Sequence, residues 1–177
     1  MDNIQIIKRQ PMDDGDLKFY DKDIEIITYN DLTNFNSIEE LLDKPLDYTI
    51  ILIEFKPNEG HWIGLLKYGK TIEFFDSYGK NPTYWLGKSA LNLNPKILKK
   101  LLDKALEEGY NVVYNKIQYQ LLKDQSVATC GRHLLNRIKM LKEFGLNSDD
   151  YYKVMYHLKK MLGISYDELV SSIVSKF

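Results

Sequence analysis

At 177 residues the chain is long enough for one domain to bury a core without disulfide staples. Its 24 Lys and Arg against 25 Asp and Glu give a net charge of −1, so no global field gathers nucleic acid. No run comes near the roughly 18 consecutive apolar residues of a membrane span, and MDNIQIIKRQ lacks the basic head and apolar core of a secretion signal.

Residues 1–20 carry Pro11 and an acidic turn at 13–16, and are expected to form a loosely attached N-terminal arm. The alternation in DIEIITY (23–29) predicts a short strand. Ser37 followed by Glu40 has capping-box spacing and starts a brief helix that stops before Pro45. YTIILIEF (48–55) is a β-branched and aromatic run suited to a buried strand; residues 56–60 form a loop, and HWIGLLKY (61–68) is the next strand. A turn at Gly69-Lys70 leads into a strand over 71–75, which stops at Asp76-Ser77-Tyr78-Gly79. After a connection holding Trp85, residues 95–108 read as an amphipathic helix ended by Gly109. NVVYNKIQYQ (111–120) alternates and reads as a strand. A polar loop then delivers the chain to a helix over 130–146, and two capped helices follow within 147–177. The pattern is that of an α+β (mixed α/β) single domain spanning 1–177, with a central, mainly antiparallel sheet flanked by helices.

Chemistry centres on Cys130, the only cysteine. At a helix N-terminus a thiol meets backbone N–H groups and the positive end of the helix dipole, which favour thiolate. Gly131 behind it would leave room for a substrate backbone. The plain alternative is a small core hydrophobe. A nucleophilic cysteine needs a base and an orienting group. Of the three histidines, His61 opens a strand after a glycine-ended loop, His133 lies one turn into the cysteine helix in a structural position, and His157 sits in a late amphipathic helix. In a hairpin turning at Gly69-Lys70, His61 and Asp76 are expected nearly opposite each other, roughly 5 Å apart at Cβ. The alternative for Asp76 is a plain turn residue. An oxyanion donor is available from Gln118, Gln120 or Gln125, with Gln120 placed at a strand end and Gln125 in the loop. One cysteine and dispersed histidines carry no metal-ligand spacing, and no cofactor is expected.

Gly60-His61-Trp62, Phe74-Phe75-Asp76-Ser77-Tyr78-Gly79, Gln118-Tyr119-Gln120 and Ala128-Thr129-Cys130-Gly131 occur in an order that resembles the adenovirus maturation protease (adenain) and its relatives, the SUMO-type ubiquitin-like-protein proteases. The resemblance covers residues 48–145, the expected catalytic core. It implies their distantly papain-like fold, with His61 as base, Asp76 as orienter, Cys130 as nucleophile and a glutamine as oxyanion donor. It also implies that Trp62 packs near the histidine and bounds the substrate groove. The glutamine departs from the pattern: Gln125 is closer to the cysteine than in that family and Gln120 farther. Gln120 fits the strand-end context, and a longer loop costs only about 0.6 kcal/mol per doubling.

The family resemblance leaves two functional classes open. One is capsid-maturation proteases of DNA viruses, which cut structural precursors at small-Gly-x sites in the virion or the cytoplasmic virus factory. The other is enzymes that remove SUMO, NEDD8 or ubiquitin. A small, lysine-rich domain with Thr-Cys-Gly-Arg-His looks more like the proteases of large DNA viruses and virophages. A catalytically inactive binding module of the same fold is a third reading. The expected partner is a protein substrate met by a monomer, with no membrane and no nucleic acid. A lysine face at Lys96, Lys99, Lys100 and Lys104 reads better as a solvated helix surface. With the single cysteine committed to catalysis, no thiol remains for a disulfide-tethered activating peptide like that of the adenovirus enzymes.

Overall fold

A computed structural model of the chain describes residues 3–122 and 127–174. Their contacts divide into two compact units, one of residues 24–76 and 80–116, the other of 1–23, 77–79 and 117–177.

The first unit is built on a five-stranded sheet in sequence order. Its strands are β1 (Glu25–Thr28), β2 (Leu46–Lys56), β3 (Glu59–Tyr68), β4 (Thr71–Phe75) and β5 (Asn111–Tyr114). The long central pairings β2–β3 and β3–β4 are antiparallel, and the short outer strands β1 and β5 pair in parallel. Ile50, Ile51, Ile53, Ile63, Leu65, Leu66, Ile72 and Phe74 are fully buried, as the β-branched and aromatic runs predict. The parallel edges need crossovers. One runs from β1 through a 3-10 turn at Tyr29–Asn34 and a one-turn helix, α3 (Ile38–Leu41), capped by Ser37 accepting from the Glu40 N–H. The other contains α4 (Pro82–Leu86) and α5 (Lys96–Glu107), whose Leu98, Leu101, Leu102 and Ala105 are buried. On its outer face Lys99 pairs with Asp103, and Lys104 lies 3.9 Å from Glu108, a solvated surface as expected.

Residues 56–60 are tighter than the loop expected there. Lys56 and Glu59 remain paired across a two-residue turn, Asn58 takes the left-handed conformation (φ 61°), and a bulge falls between Glu54 and Lys56. Gly60, beside His61, faces Glu54 there so closely that a Cβ would lie 2.0 Å from the Ile53 carbonyl oxygen. Gly60→Ala is therefore expected to destabilise the fold by at least about 1–3 kcal/mol. At Gly87 (φ −68°) a Cβ would come no nearer than 3.5 Å to the Thr83 carbonyl, so Gly87→Ala should be neutral or stabilising. Urea midpoints of the two variants check this; equal midpoints would contradict the close approach.

The second unit is helical: α1 (Asn3–Ile7), α2 (Asp14–Tyr20), α6 (Cys130–Phe144), α7 (Ser148–Leu162) and α8 (Tyr166–Ile173). The loose arm expected over residues 1–20 is corrected here. Asp13 and Asp16 form a capping box that starts α2, and Ile7, Met12 and Leu17 are buried, so hydrophobic burial fixes a segment whose composition reads as polar. Helix α1 packs on α8, and α2 on α6. Helix α6 is enclosed on every side from Gly131 to Ile138, including Arg132, His133, Asn136 and Arg137. Such burial demands partners for the polar groups. Arg132 donates to the carbonyls of Val174 (3.2 Å) and Gln10 (2.6 Å), fastening α6 to both sequence ends of the unit. Burial, opposed by Tyr20 and Cys130, lowers the Arg132 pKa from its ordinary value. Among the described residues no helix is long and apolar enough to cross a membrane.

Candidate active site

In the sheet unit, His61 is only 3% exposed and its Nε2 lies 2.6 Å from Asp76 Oδ1. The expected hydrogen bond is present, but the pairing behind it is corrected. The β3–β4 ladder ends with Gly64 facing Phe75, and His61 is paired with Ile53 on β2. Asp76, just past β4, therefore reaches His61 diagonally. Its other oxygen, Oδ2, accepts from Trp85 Nε1 (2.8 Å) and from the Lys80 N–H (3.0 Å). Asn115 grips the Asp76 backbone from both sides, accepting from its N–H at 2.7 Å and donating to its carbonyl at 2.6 Å. Asp76 is thus a fully buried acceptor fixed at backbone and side chain. An ionised carboxylate only accepts, so in this bond Nε2 of His61 carries the proton and donates to Asp76. Trp85 also lies over the imidazole, ring centroids 4.4 Å apart.

Trp85 and Asn115 were not singled out in the sequence. Their signals were slight: a tryptophan stranded in a polar connection, and an asparagine breaking an alternating run. Trp62, the expected neighbour of the histidine, is half-buried and alternates to the opposite face of β3.

In the helical unit, Cys130 is the first residue of α6 and is half-buried. Gln120 is 2% exposed, but not at a strand end. Strand β5 stops at Tyr114 because Asn115 is committed to Asp76, and the N–H groups of Tyr119 and Gln120 both donate to the Ser77 carbonyl. The Gln120 amide is oriented by chemistry that admits one arrangement. The Val127 carbonyl only accepts, so it takes Nε2 (3.2 Å), and Oε1 accepts from the Ser77 hydroxyl at 2.8 Å. One Nε2 proton remains beyond that held by Val127. Gln125 lies outside the described residues. Gln118 donates to the Gln120 carbonyl.

Gly131 is corrected. It is buried, and a Cβ there would meet Met12 Cβ at 3.1 Å and Leu17 Cδ2 at 3.4 Å. Its missing side chain admits the N-terminal helices rather than a substrate backbone.

His133 is fully buried with Nε2 3.0 Å from Asp167 Oδ1, the scaffold role expected of it, whereas His157 is exposed on α7. Asp167 lies in the first turn of α8. It accepts the Thr129 hydroxyl on Oδ1 and the Leu121 N–H on Oδ2 at 3.1 Å. Burial works to raise its pKa, but His133, the Thr129 hydroxyl and the Leu121 N–H outweigh it, and Asp167 titrates below its ordinary value. Among the described residues no group of three or more His, Cys, Asp or Glu side chains is arranged to hold a metal ion.

No protein-family model matches the chain. The uncharacterized protein V9 of Sputnik virophage is 31% identical over 149 residues, covering 78% of this chain and 84% of that protein. The chain belongs to the V9 family. Two solved structures resemble this V9-family chain more distantly. A de-sumoylating protease gives a TM-score of 0.47 at 14% identity, over 97% of this chain and 77% of its own. The SUMO protease Ulp1 with its catalytic cysteine oxidized to a sulfinic acid gives 0.44 at 13%, over 98% and 84%. Both are likenesses of backbone course at low identity, and neither bears on what a V9-family protein does.

Proposed function

We propose that this chain is a cysteine endopeptidase that cuts viral structural precursors at small-Gly-x sites during virion maturation. The observation that carries the reading is the buried His61–Asp76 pair, with the second carboxylate oxygen occupied by Trp85 and Lys80. A carboxylate enclosed this fully around one histidine fixes the tautomer and orientation of a general base. The sole cysteine at the start of α6 is the matching nucleophile, and membership of a family with a virophage relative fits a viral setting.

In this mechanism Nδ1 of His61 takes the Cys130 proton, and the thiolate sulfur bonds to the substrate carbonyl carbon. The carbonyl electron pair moves onto oxygen, where Gln120 Nε2–H and the Cys130 N–H hold it. Collapse breaks the C–N bond as His61–H⁺ protonates the leaving amine. Water, deprotonated by His61, then displaces the sulfur and yields the free acid and the starting thiol. Asp76 stays ionised throughout and steadies the imidazolium.

The deciding experiment is a substrate panel: peptides with small-Gly-x-Gly sites, a capsid precursor, and vinyl sulfone probes built on SUMO and ubiquitin. Cleavage of the Gly-x-Gly substrates, abolished by Cys130→Ala, is the expected result. Efficient reaction with a ubiquitin-like probe would move the chain to the deconjugating class. No reaction with any member would leave the inactive binding module.

A further inference from the structure

Asp167 has no part in the reaction above, yet its carboxylate meets both chain segments that flank the reacting groups. Oδ2 accepts from the N–H of Leu121, the residue after Gln120, and Oδ1 accepts from the hydroxyl of Thr129, the residue before Cys130. We propose that Asp167 is a positioning residue that holds the oxyanion donor Gln120 and the nucleophile Cys130 in register across the intervening segment. The proposal rests on the peptidase reading.

The geometry is that of a clasp. Asp167, Thr129 and His133 are all fully buried, and His133 meets the same Oδ1 from one turn further along α6. Asp167 belongs to the first turn of α8, whose start is fixed by the Ser165–Glu168 capping box and whose dipole favours a negative charge there. The anchor is therefore rigid. Thr129 occupies the N-cap position of α6, where a threonine oxygen ordinarily accepts from first-turn N–H groups, but it makes no such bond. Its hydroxyl donates to Asp167 instead, which turns the usual cap away from the end of the helix that carries the nucleophile. Gln120 is held from its other side by Ser77 and Val127, so loss of the Leu121 contact frees only one end of it. An amide at position 167 offers one accepting oxygen in place of two. With Leu121 on that oxygen its NH2 faces Thr129 and His133, which would have to accept where they now meet a carboxylate, so the charge-assisted hold on both is lost.

The test compares Asp167→Asn, Thr129→Val and Thr129→Ser in the whole chain, using a cleavable Gly-x-Gly peptide and iodoacetamide. Peptide cleavage needs the oxyanion donor; alkylation of the sulfur does not. Asp167→Asn and Thr129→Val are expected to lower kcat about ten- to a hundredfold with KM and alkylation rate within about twofold. Thr129→Ser, which keeps the hydroxyl, is expected to restore kcat. Wild-type kcat in Thr129→Val, a parallel fall of alkylation and kcat, or a serine variant no better than valine would each overturn the proposal. Should Asp167→Asn fail to fold, the two Thr129 variants carry the comparison. A wild-type chain that alkylates yet cleaves no substrate rejects the peptidase reading itself, an outcome distinct from normal turnover in Thr129→Val.

Discussion

His61→Ala is expected to slow the reaction of Cys130 with a peptide aldehyde by about 10²–10⁴-fold, the range of a general base. Neither of the other histidines can take its place. His133 is fully buried with Nε2 committed to Asp167, and His157 is exposed on α7. Removing the imidazole also leaves Asp76 Oδ1 without its 2.6 Å partner in a site closed to solvent, which costs about 1–3 kcal/mol of stability. The variant is therefore expected to melt lower as well as react slower, and its rate should be measured well below its transition. Second-order rate constants for His61→Ala and His157→Ala at neutral pH check the assignment. A wild-type rate in His61→Ala, or loss of rate in His157→Ala, would reverse it.

The second large effect is at Asp76. Asp76→Asn conserves shape but replaces an acceptor oxygen by a donor NH2 among groups that are themselves donors: Trp85 Nε1–H, the Lys80 N–H and His61 Nε2–H. If the amide oxygen keeps Trp85 and Lys80, its NH2 faces His61 and forces the proton to Nδ1, the nitrogen the mechanism needs as base. If it keeps His61, the NH2 faces two N–H donors in a buried site. The first arrangement is the less costly, so a fall in kcat of about 10³–10⁴-fold is expected, by the logic of a histidine held in the wrong tautomer. Retained Trp85 packing over the ring predicts a near-native fold. Kinetics together with the near-ultraviolet circular dichroism of the tryptophans test this. Full activity with an unchanged spectrum would mean that Asp76 does not orient the base.

Legibility in the sequence followed the range of the interactions. The sheet strands, the Gly69 turn, α5 and the capped C-terminal helices are stated by local periodicity and caps, and all are present. Periodicity also pointed to a strand over 111–120, but the ladder stops at Tyr114, because Asn115 is drawn to Asp76 across 39 residues of sequence. The same limit hid Trp85 and Asp167, whose partners are set by tertiary packing. The N-terminal helices show no apolar stripe, because Leu17 is the single buried apolar residue of α2 and Met12 precedes that helix. Their burial depends on Gly131, more than a hundred residues away, having no side chain. His61 and Asp76 were legible because a hairpin brings near neighbours in sequence together.

The way the two units share the chain has a consequence for synthesis. Residues 24–116, holding His61, Asp76, Trp85 and Asn115, are nearly continuous, so the sheet unit can close soon after it leaves the ribosome. The helical unit joins the two ends of the chain through contacts such as Gln5 with Glu168 and Gln10 with Arg132. It pays the closure entropy of a very long loop and cannot form until α8 has been made. A nascent chain thus holds an ordered His61–Asp76 pair well before the start of α6, with Cys130, is fixed by its contacts with α8.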